Sequence, residues 1–197
     1  MCGGNCTADA DGDDVCDDVD PCVGQVDALG VCNGDCASDA DGDGVCDTPD
    51  FVPTTPCVDG FAGIYPCDQV DFMSHLTPGE VGGGEMNDIW GWTDPLDGNE
   101  YALLGRTTGT AFIDVTDPNN PVYLGDLPSH TVSSLWRDIK VYADHAFIVS
   151  EASGHGMQVF DLTTLRNVSN PPVTFSEDAH YNGFGNCHNI AINEESG

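Results

Sequence analysis

A twelve-residue acidic stretch, residues 39–50, constrains the fold of this chain more than any other feature. It reads Asp-Ala-Asp-Gly-Asp-Gly-Val-Cys-Asp-Thr-Pro-Asp, with carboxylates at places 1, 3, 5, 9 and 12 and glycine at place 6. This is the ligand spacing of an EF-hand-type calcium loop, in which place 7 offers a backbone carbonyl. Without a cation, five carboxylates this close would repel one another strongly. The stretch predicts a calcium site made by Asp39, Asp41, Asp43, Val45, Asp47 and Asp50.

The same pattern occurs earlier in the chain, in an internal repeat with a period of 30 residues. The first 60 residues hold 15 aspartates and no lysine or arginine, so little is available for a hydrophobic core. Metal and disulfides must supply the order that burial cannot. A flexible acidic linker is the alternative, but two copies in register favour calcium loops. The first predicted ligand set is Asp9, Asp11, Asp13, Val15, Asp17 and Asp20, with Asp14 in place of the glycine.

The charge and the cysteines narrow the class of protein. A net charge of −30 excludes nucleic-acid binding, which needs a basic footprint. No run of 18 apolar residues exists, so no membrane span is expected. Nine of the ten cysteines lie in residues 1–67. Their C-x3-C spacing and aspartate neighbours favour disulfides in an oxidising compartment over a zinc site.

Three regions follow along the chain. Residues 1–53 are the predicted calcium-binding repeats, and residues 54–81 are a proline-rich connector in which a Cys57–Cys67 disulfide is expected. Residues 82–197 show short strands of period two, with an Asp97-Gly98 hairpin signal. The chain begins inside what looks like an existing repeat and ends after a strand-like stretch, so we expect a fragment lacking its export signal and C-terminus.

The strand pattern after residue 82 is itself repeated, with first strands 50 and 51 residues apart. Four antiparallel strands per repeat at this period predict a mostly β fold, an incomplete β-propeller with two four-stranded blades and the start of a third. A β-sandwich is the alternative, but it does not require the repeat. The predicted strands are 88–93, 101–105, 110–115 and 121–125, then 138–142, 145–150, 157–162 and 172–176, and finally 189–193.

Two family resemblances accompany these patterns. Residues 9–22 and 39–50 resemble thrombospondin type 3 repeats, in which aspartates bind calcium and cysteines brace the chain. From about residue 57 onward the chain resembles the LVIVD-repeat β-propellers, and more closely the choice-of-anchor B group of bacterial surface proteins. The motifs that carry the second resemblance lie at residues 62–67, 87–94, 109–118, 136–142 and 155–162. Together the resemblances imply a secreted or cell-surface protein and no known reaction.

Several side chains in the predicted propeller are candidate site residues. Asp88, Asp138 and Asn189 begin successive first strands, where they could ring a channel and bind a cation; hydrogen bonding to neighbouring backbone is the favoured role. Cys187 and His188 are adjacent and point to opposite faces of a strand, so a shared metal is disfavoured. Three tryptophans could stack on a sugar or fill the core: Trp90, Trp92 and Trp136. Four histidines are expected in connections between strands, where ligand sites gather: His130, His155, His180 and His188.

The leading functional hypothesis is a calcium-binding structural or binding protein at the cell surface. The acidic repeats would form a calcium-stiffened stalk, and the propeller would present a recognition face to carbohydrate or protein, as in adhesion. No nucleophile motif, zinc-protease motif or phosphate-binding loop is present, so no catalytic residue is assigned. The alternative is an extracellular metal-dependent hydrolase or lyase, which would need histidines and carboxylates converging at the propeller mouth.

Overall fold

The computed structural model describes residue 10, residues 16–17, 19–34 and 36, and residues 55–195. Two compact units form, Met1–Asp71 and Phe72–Gly197, and the boundary falls within the predicted connector. Across the described residues the fold is mostly β, built from several open sheets. No helix of the described residues is long and apolar enough to cross a membrane.

The first unit is held by cross-links because its sequence offers little to bury. One disulfide joins Cys22 to Cys32, and the predicted Cys57–Cys67 disulfide is confirmed. Cys16 and Cys36 are also disulfide-bonded. The Cys57–Cys67 loop encloses a small hairpin of β1 (Phe61–Ala62) and β2 (Tyr65–Pro66).

The second unit contains two sheets. The first has the order β10-β6-β5-β4-β3, and the second has the order β11-β9-β8-β7. Alternating apolar residues on neighbouring antiparallel strands account for both. The strands are β3 (Met86–Thr93), β4 (Glu100–Arg106), β5 (Gly109–Asp114), β6 (Val122–Pro128), β7 (Arg137–Tyr142), β8 (His145–Ser150), β9 (Met157–Asp161), β10 (Val173–Thr174) and β11 (Ala179–Tyr181), with one 3-10 helix at Leu162–Asn167.

Residues 172–176 do not form the predicted fourth strand of the second set. Val173 and Thr174 instead pair in parallel with β6 of the first sheet. Gly125 allows this close approach, because a Cβ there would lie 1.9 Å from the carbonyl oxygen of Val173. Strand β11 takes the predicted place beside β9.

The predicted strand at 189–193 is also absent from the structure, where residues 189–193 are irregular. A strand needs a hydrogen-bonded neighbour, and no described strand pairs with this segment. It is held instead by a side chain, since Oδ2 of Asp138 accepts a 2.7 Å hydrogen bond from the backbone N–H of Ile190.

One hydrophobic core joins residues of the two sheets. Phe112 of β5 stacks on Phe160 of β9 with ring centroids 4.6 Å apart, and Phe175 meets Phe112 edge-on at 5.4 Å. Both stacked rings are fully buried. Leu103 and Ile148 lie in the same cluster. Burial of large aromatic rings supplies much of the free energy that holds such a core.

An ion pair with a buried carboxylate also links the end of β3 to the 3-10 helix after β9. Asp94 follows β3, and its carboxylate accepts hydrogen bonds from Nε and Nη2 of Arg166 at 2.5 and 2.6 Å. Arg166 lies in the 3-10 helix after β9. The guanidinium of Arg166 holds the pKa of Asp94 below its usual value. This bidentate geometry is the strongest form of an ion pair between side chains.

The unfolding free energy of the Asp94→Asn variant should fall less than that of the wild type as the pH is lowered. A carboxyl with a depressed pKa in the folded state stabilises the fold above its unfolded-state pKa, about 3.9, and loses that contribution as pH falls through the folded value. Asparagine removes the proton-linked contribution. Denaturant unfolding between pH 7 and pH 2 measures the effect, and Asp97→Asn, in the exposed part of the same turn, is the matched control. Parallel pH profiles for wild type and Asp94→Asn would contradict this role.

Candidate functional site

Two of the predicted calcium ligands lie within the described residues. Asp17, at place 9, accepts a 2.9 Å hydrogen bond through Oδ1 from the backbone N–H of Ala10, at place 2. This contact brings places 2 and 9 of the predicted loop together. Apart from Asp17 and Asp20, the predicted calcium ligands lie outside the described residues, including the whole set from Asp39 to Asp50.

Asp20, at place 12, has one carboxylate oxygen without a partner. Its Oδ1 accepts a 2.7 Å hydrogen bond from the backbone N–H of Cys22. Its Oδ2 is buried and has no hydrogen-bond partner among the described residues. A buried carboxylate oxygen that lacks a donor is costly, and a cation bound to it would remove that cost. A carboxylate oxygen in this environment fits a hard cation that prefers oxygen ligands, such as calcium.

The Cys22–Cys32 disulfide braces the chain directly after this loop. It closes a ten-residue separation, and within it Asp27 accepts hydrogen bonds from the backbone N–H groups of Leu29 and Val31 at 3.0 and 2.8 Å. A carboxylate with several backbone donors organises a tight turn. Cross-linking and turn formation together replace a hydrophobic core between the two predicted calcium loops.

A shallow cleft of about 460 Å³ lies where β3 approaches β7 in the second unit. Trp90 and Tyr142 supply aromatic rings, and Thr93, Asp144 and Glu194 supply polar groups. Trp90 is 37% exposed, so its ring is accessible to a ligand. Apolar rings with a few polar groups around them are the usual lining of a small-molecule site.

Neighbouring contacts hold the cleft in shape. The ammonium of Lys140 lies 4.2 Å from the centroid of the Trp90 ring, within the range of a cation–π interaction. Trp92 is buried at the base, stacks on Tyr101 at 5.2 Å, and donates Nε1–H to Oδ1 of Asp144 at 3.2 Å. Trp92 therefore fills the core, one of the two roles expected for it. Trp136 is 48% exposed and lies outside the cleft.

The three residues expected to begin successive strands form a series of backbone contacts. Oδ2 of Asp88 accepts a 2.9 Å hydrogen bond from the N–H of Ile139, and Oδ2 of Asp138 accepts one from the N–H of Ile190. Asn189 donates to the same Asp138 oxygen at 3.4 Å. Each carboxylate thus holds the next repeat of the chain, as the favoured prediction requires.

The environments of these two carboxyls differ. Burial raises the pKa of Asp88, and the nearby Asp138 adds to this effect. Burial also acts on Asp138, but hydrogen bonds from Lys140 and Ile190 outweigh it and lower the pKa of Asp138. The ammonium of Lys140 lies 2.5 Å from Oδ1 of Asp138. With donors already facing these oxygens, the pair suits a structural role better than a cation site.

The candidate histidines and Cys187 lie in two separate groups of the second unit. His130 and His155 lie in connections, as predicted, whereas the prediction is wrong for His180, which lies in β11. Cys187 is not in a disulfide and donates to the carbonyl of Asn189, while His188 pairs with Glu151 at 2.7 Å. His130 and His180 stack against each other beside Glu177. Sequence spacing gave no signal for this last grouping.

No family model, no curated protein and no solved structure matches the chain. The two family resemblances therefore remain predictions.

Proposed function

We propose that this protein is an extracellular calcium-binding protein in which a calcium-stiffened, disulfide-braced segment carries a propeller-type recognition domain. The observation that carries the proposal is the buried Oδ2 of Asp20, which lacks a partner at place 12 of a predicted calcium loop. Calcium would be held in that loop by Asp9, Asp11, Asp13, Val15, Asp17 and Asp20. When bound, it neutralises charges that would otherwise force the segment apart.

The placement outside the cell is supported by the cross-links of the first unit. Disulfides persist in oxidising compartments and are rare in the cytosol. Cys22–Cys32 and Cys57–Cys67 are consistent with an extracellular protein. Extracellular calcium-binding modules also work at weak affinity, because calcium is abundant there.

The propeller part of the proposal is supported by the repeated sheets. The second sheet repeats three antiparallel strands of the first, and Asp88 and Asp138 make the same contact one repeat apart. Radial repetition of such sheets generates a propeller, and the cleft beside Trp90 lies where two successive first strands approach. We assign recognition to that cleft, with carbohydrate as the ligand.

The Trp90→Ala variant should bind carbohydrate more weakly than the wild type. The exposed ring stacks on the apolar face of a sugar, and the flanking carboxylates and hydroxyl bond its hydroxyl groups. Loss of one aromatic stacking contact should weaken affinity about tenfold. A glycan array followed by calorimetry with the best glycan, run on wild type and the variant, makes the measurement.

Trp136→Ala is the matched control for this experiment, because it removes an exposed tryptophan outside the cleft. We expect its glycan affinity to equal that of the wild type. The assignment is contradicted if the wild-type chain binds no glycan, if Trp90→Ala binds as well as wild type, or if Trp136→Ala loses binding to the same extent.

A further inference from the structure

Three metal-ligating side chains from distant parts of the second unit converge at one place. One ring nitrogen of His130, one of His180 and a carboxylate oxygen of Glu177 lie within 4.8 Å of one another. His130 follows β6 of the first sheet, Glu177 precedes β11, and His180 lies in β11 of the second sheet. In a tetrahedral zinc site with bonds of about 2.1 Å, ligand atoms stand about 3.4 Å apart. The observed separations therefore lie in the range from which a site of this size can be assembled.

His180 is oriented by the backbone behind it. Its Nε2 lies 2.6 Å from the carbonyl oxygen of His155, which can only accept, so Nε2 carries the hydrogen and Nδ1 keeps its lone pair. A histidine that binds a metal commonly donates its other ring N–H to a carbonyl in this way. Gly156, with φ of +62°, makes room for the contact, because a Cβ there would lie 3.0 Å from Nε2 of His180.

Glu177 is held by a buried amide. Its Oε2 accepts a 2.7 Å hydrogen bond from Nε2 of Gln158, and the same amide nitrogen donates to the carbonyl of Pro128 at 3.0 Å. Gln158 is 2% exposed, so its position is set by packing. Oε1 of Glu177 faces Nδ1 of His130 at 2.7 Å. One oxygen is thus fixed, and the other is presented to the histidines.

The neighbouring His155 is a supporting residue and not a ligand. It is fully buried, and its Nδ1 donates to the carbonyl of Gly156 at 3.0 Å. Its Nε2 lies 3.1 Å from a guanidinium nitrogen of Arg137. The same Nε2 also lies 3.1 Å from Oε1 of Gln158. Both ring nitrogens of His155 are therefore engaged by protein groups.

The rings of His130 and His180 are stacked, and this arrangement limits how the two side chains can bind a metal ion. The rings of His130 and His180 are 3.5 Å apart between centroids and 10° from parallel. Nitrogen lone pairs lie in the plane of an imidazole, so two parallel rings at this separation cannot direct them at one ion. His130 must turn out of the stack. Its side chain is 34% exposed and faces a cleft of about 240 Å³, so it has room to turn.

We propose that His130, Glu177 and His180 form a binding site for a divalent transition metal of the zinc class. Turning of the His130 ring replaces its hydrogen bond to Glu177 with a shared metal ion, and His180 and Glu177 serve as ligands from nearly their present positions. Two imidazoles and a carboxylate leave one coordination position facing the cleft, as in zinc sites that bind an exchangeable water. This site shares no residue with the predicted calcium loops, and its imidazole ligands are softer than the carboxylates of those loops.

Zinc calorimetry on the full chain, with disulfides intact and calcium present in excess, tests the proposal. We expect one zinc ion per chain, with binding lost in His130→Ala and in His180→Ala. Gln158→Ala, which removes the support of Glu177 together with the contacts of Gln158 to Pro128 and His155, should weaken binding about tenfold. Cobalt should bind at the same site, and a tetrahedral visible spectrum should report its geometry. Circular dichroism of each variant separates loss of a ligand from loss of the fold, and Glu177→Gln provides a nearly isosteric variant.

His188→Ala is the matched control, because His188 and Glu151 form the same kind of surface pair at 2.7 Å. We expect this variant to bind zinc as the wild type does, and Cys187→Ser likewise. The proposal is overturned if calcium-saturated wild type binds no zinc, if folded His130→Ala and His180→Ala bind it unchanged, or if His188→Ala or Cys187→Ser loses it.

Discussion

The Phe112→Ala variant is expected to lose about 4 kcal/mol of unfolding free energy, the largest effect of any single substitution considered for this chain. Phe112 is fully buried, stacks on Phe160 and meets Phe175 edge-on, so its removal leaves a cavity between the two sheets of the second unit. Rigid β strands on both sides limit how far that cavity can collapse. Urea unfolding followed by tryptophan fluorescence measures the loss.

Leu96→Ala is the control for this prediction, since Leu96 is 73% exposed in the turn after β3. Its unfolding free energy should stay within about 0.5 kcal/mol of wild type. A loss below about 1 kcal/mol for Phe112→Ala would mean that the two sheets are not held together by this core.

The Asp138→Ala variant is expected to lose about 3 kcal/mol. Asp138 is 4% exposed, and its removal takes the carboxylate partner from the ammonium of Lys140, which keeps only the carbonyl of Ile139. It also leaves the backbone N–H of Ile190 without its acceptor. Asp138→Asn should lose less, because an amide oxygen can still accept from Ile190. Asn189 at the matching place of the next repeat shows that the sequence tolerates an amide there.

Asp114→Ala is the comparison variant for Asp138, as it removes a carboxylate that accepts only from a turn, the N–H of Thr116 at 2.9 Å. We expect a loss of about 1 kcal/mol, typical of one local hydrogen bond. Equal losses for Asp114→Ala and Asp138→Ala in thermal and urea unfolding would contradict a special role for the contact between repeats.

The strands were largely predictable because apolar alternation and turn residues are local signals. Strand β8 has the predicted bounds, and Asp97-Gly98 does mark a hairpin. Residues 172–176 were assigned to the wrong sheet, because the parallel pairing with β6 depends on a close approach at Gly125, a contact 48 residues distant. No local pattern encodes which sheet a two-residue strand will join.

The sequence could indicate a candidate site only where the residues of that site follow a regular spacing along the chain. Calcium ligands follow a fixed order along one loop, so the sequence alone predicts Asp17 and Asp20 as ligands, and this stays a prediction. His130, Glu177 and His180 come from separate connections and a strand, and their convergence depends on how two sheets pack. The cleft was not predicted, although Trp90 was named as a residue that could stack on a sugar, because Tyr142, which also lines the cleft, belongs to the next repeat.

Calcium calorimetry on the full chain with intact disulfides tests the central claim most directly. We predict saturable binding to at least two sites with dissociation constants on the order of 10⁻⁴ to 10⁻³ M, and Asp20→Ala should remove one of them. Asp59→Ala, an exposed aspartate outside both predicted loops, should bind as the wild type does. Absence of saturable binding at millimolar calcium, or an unchanged stoichiometry in Asp20→Ala, would contradict calcium as the ion that orders the acidic repeats.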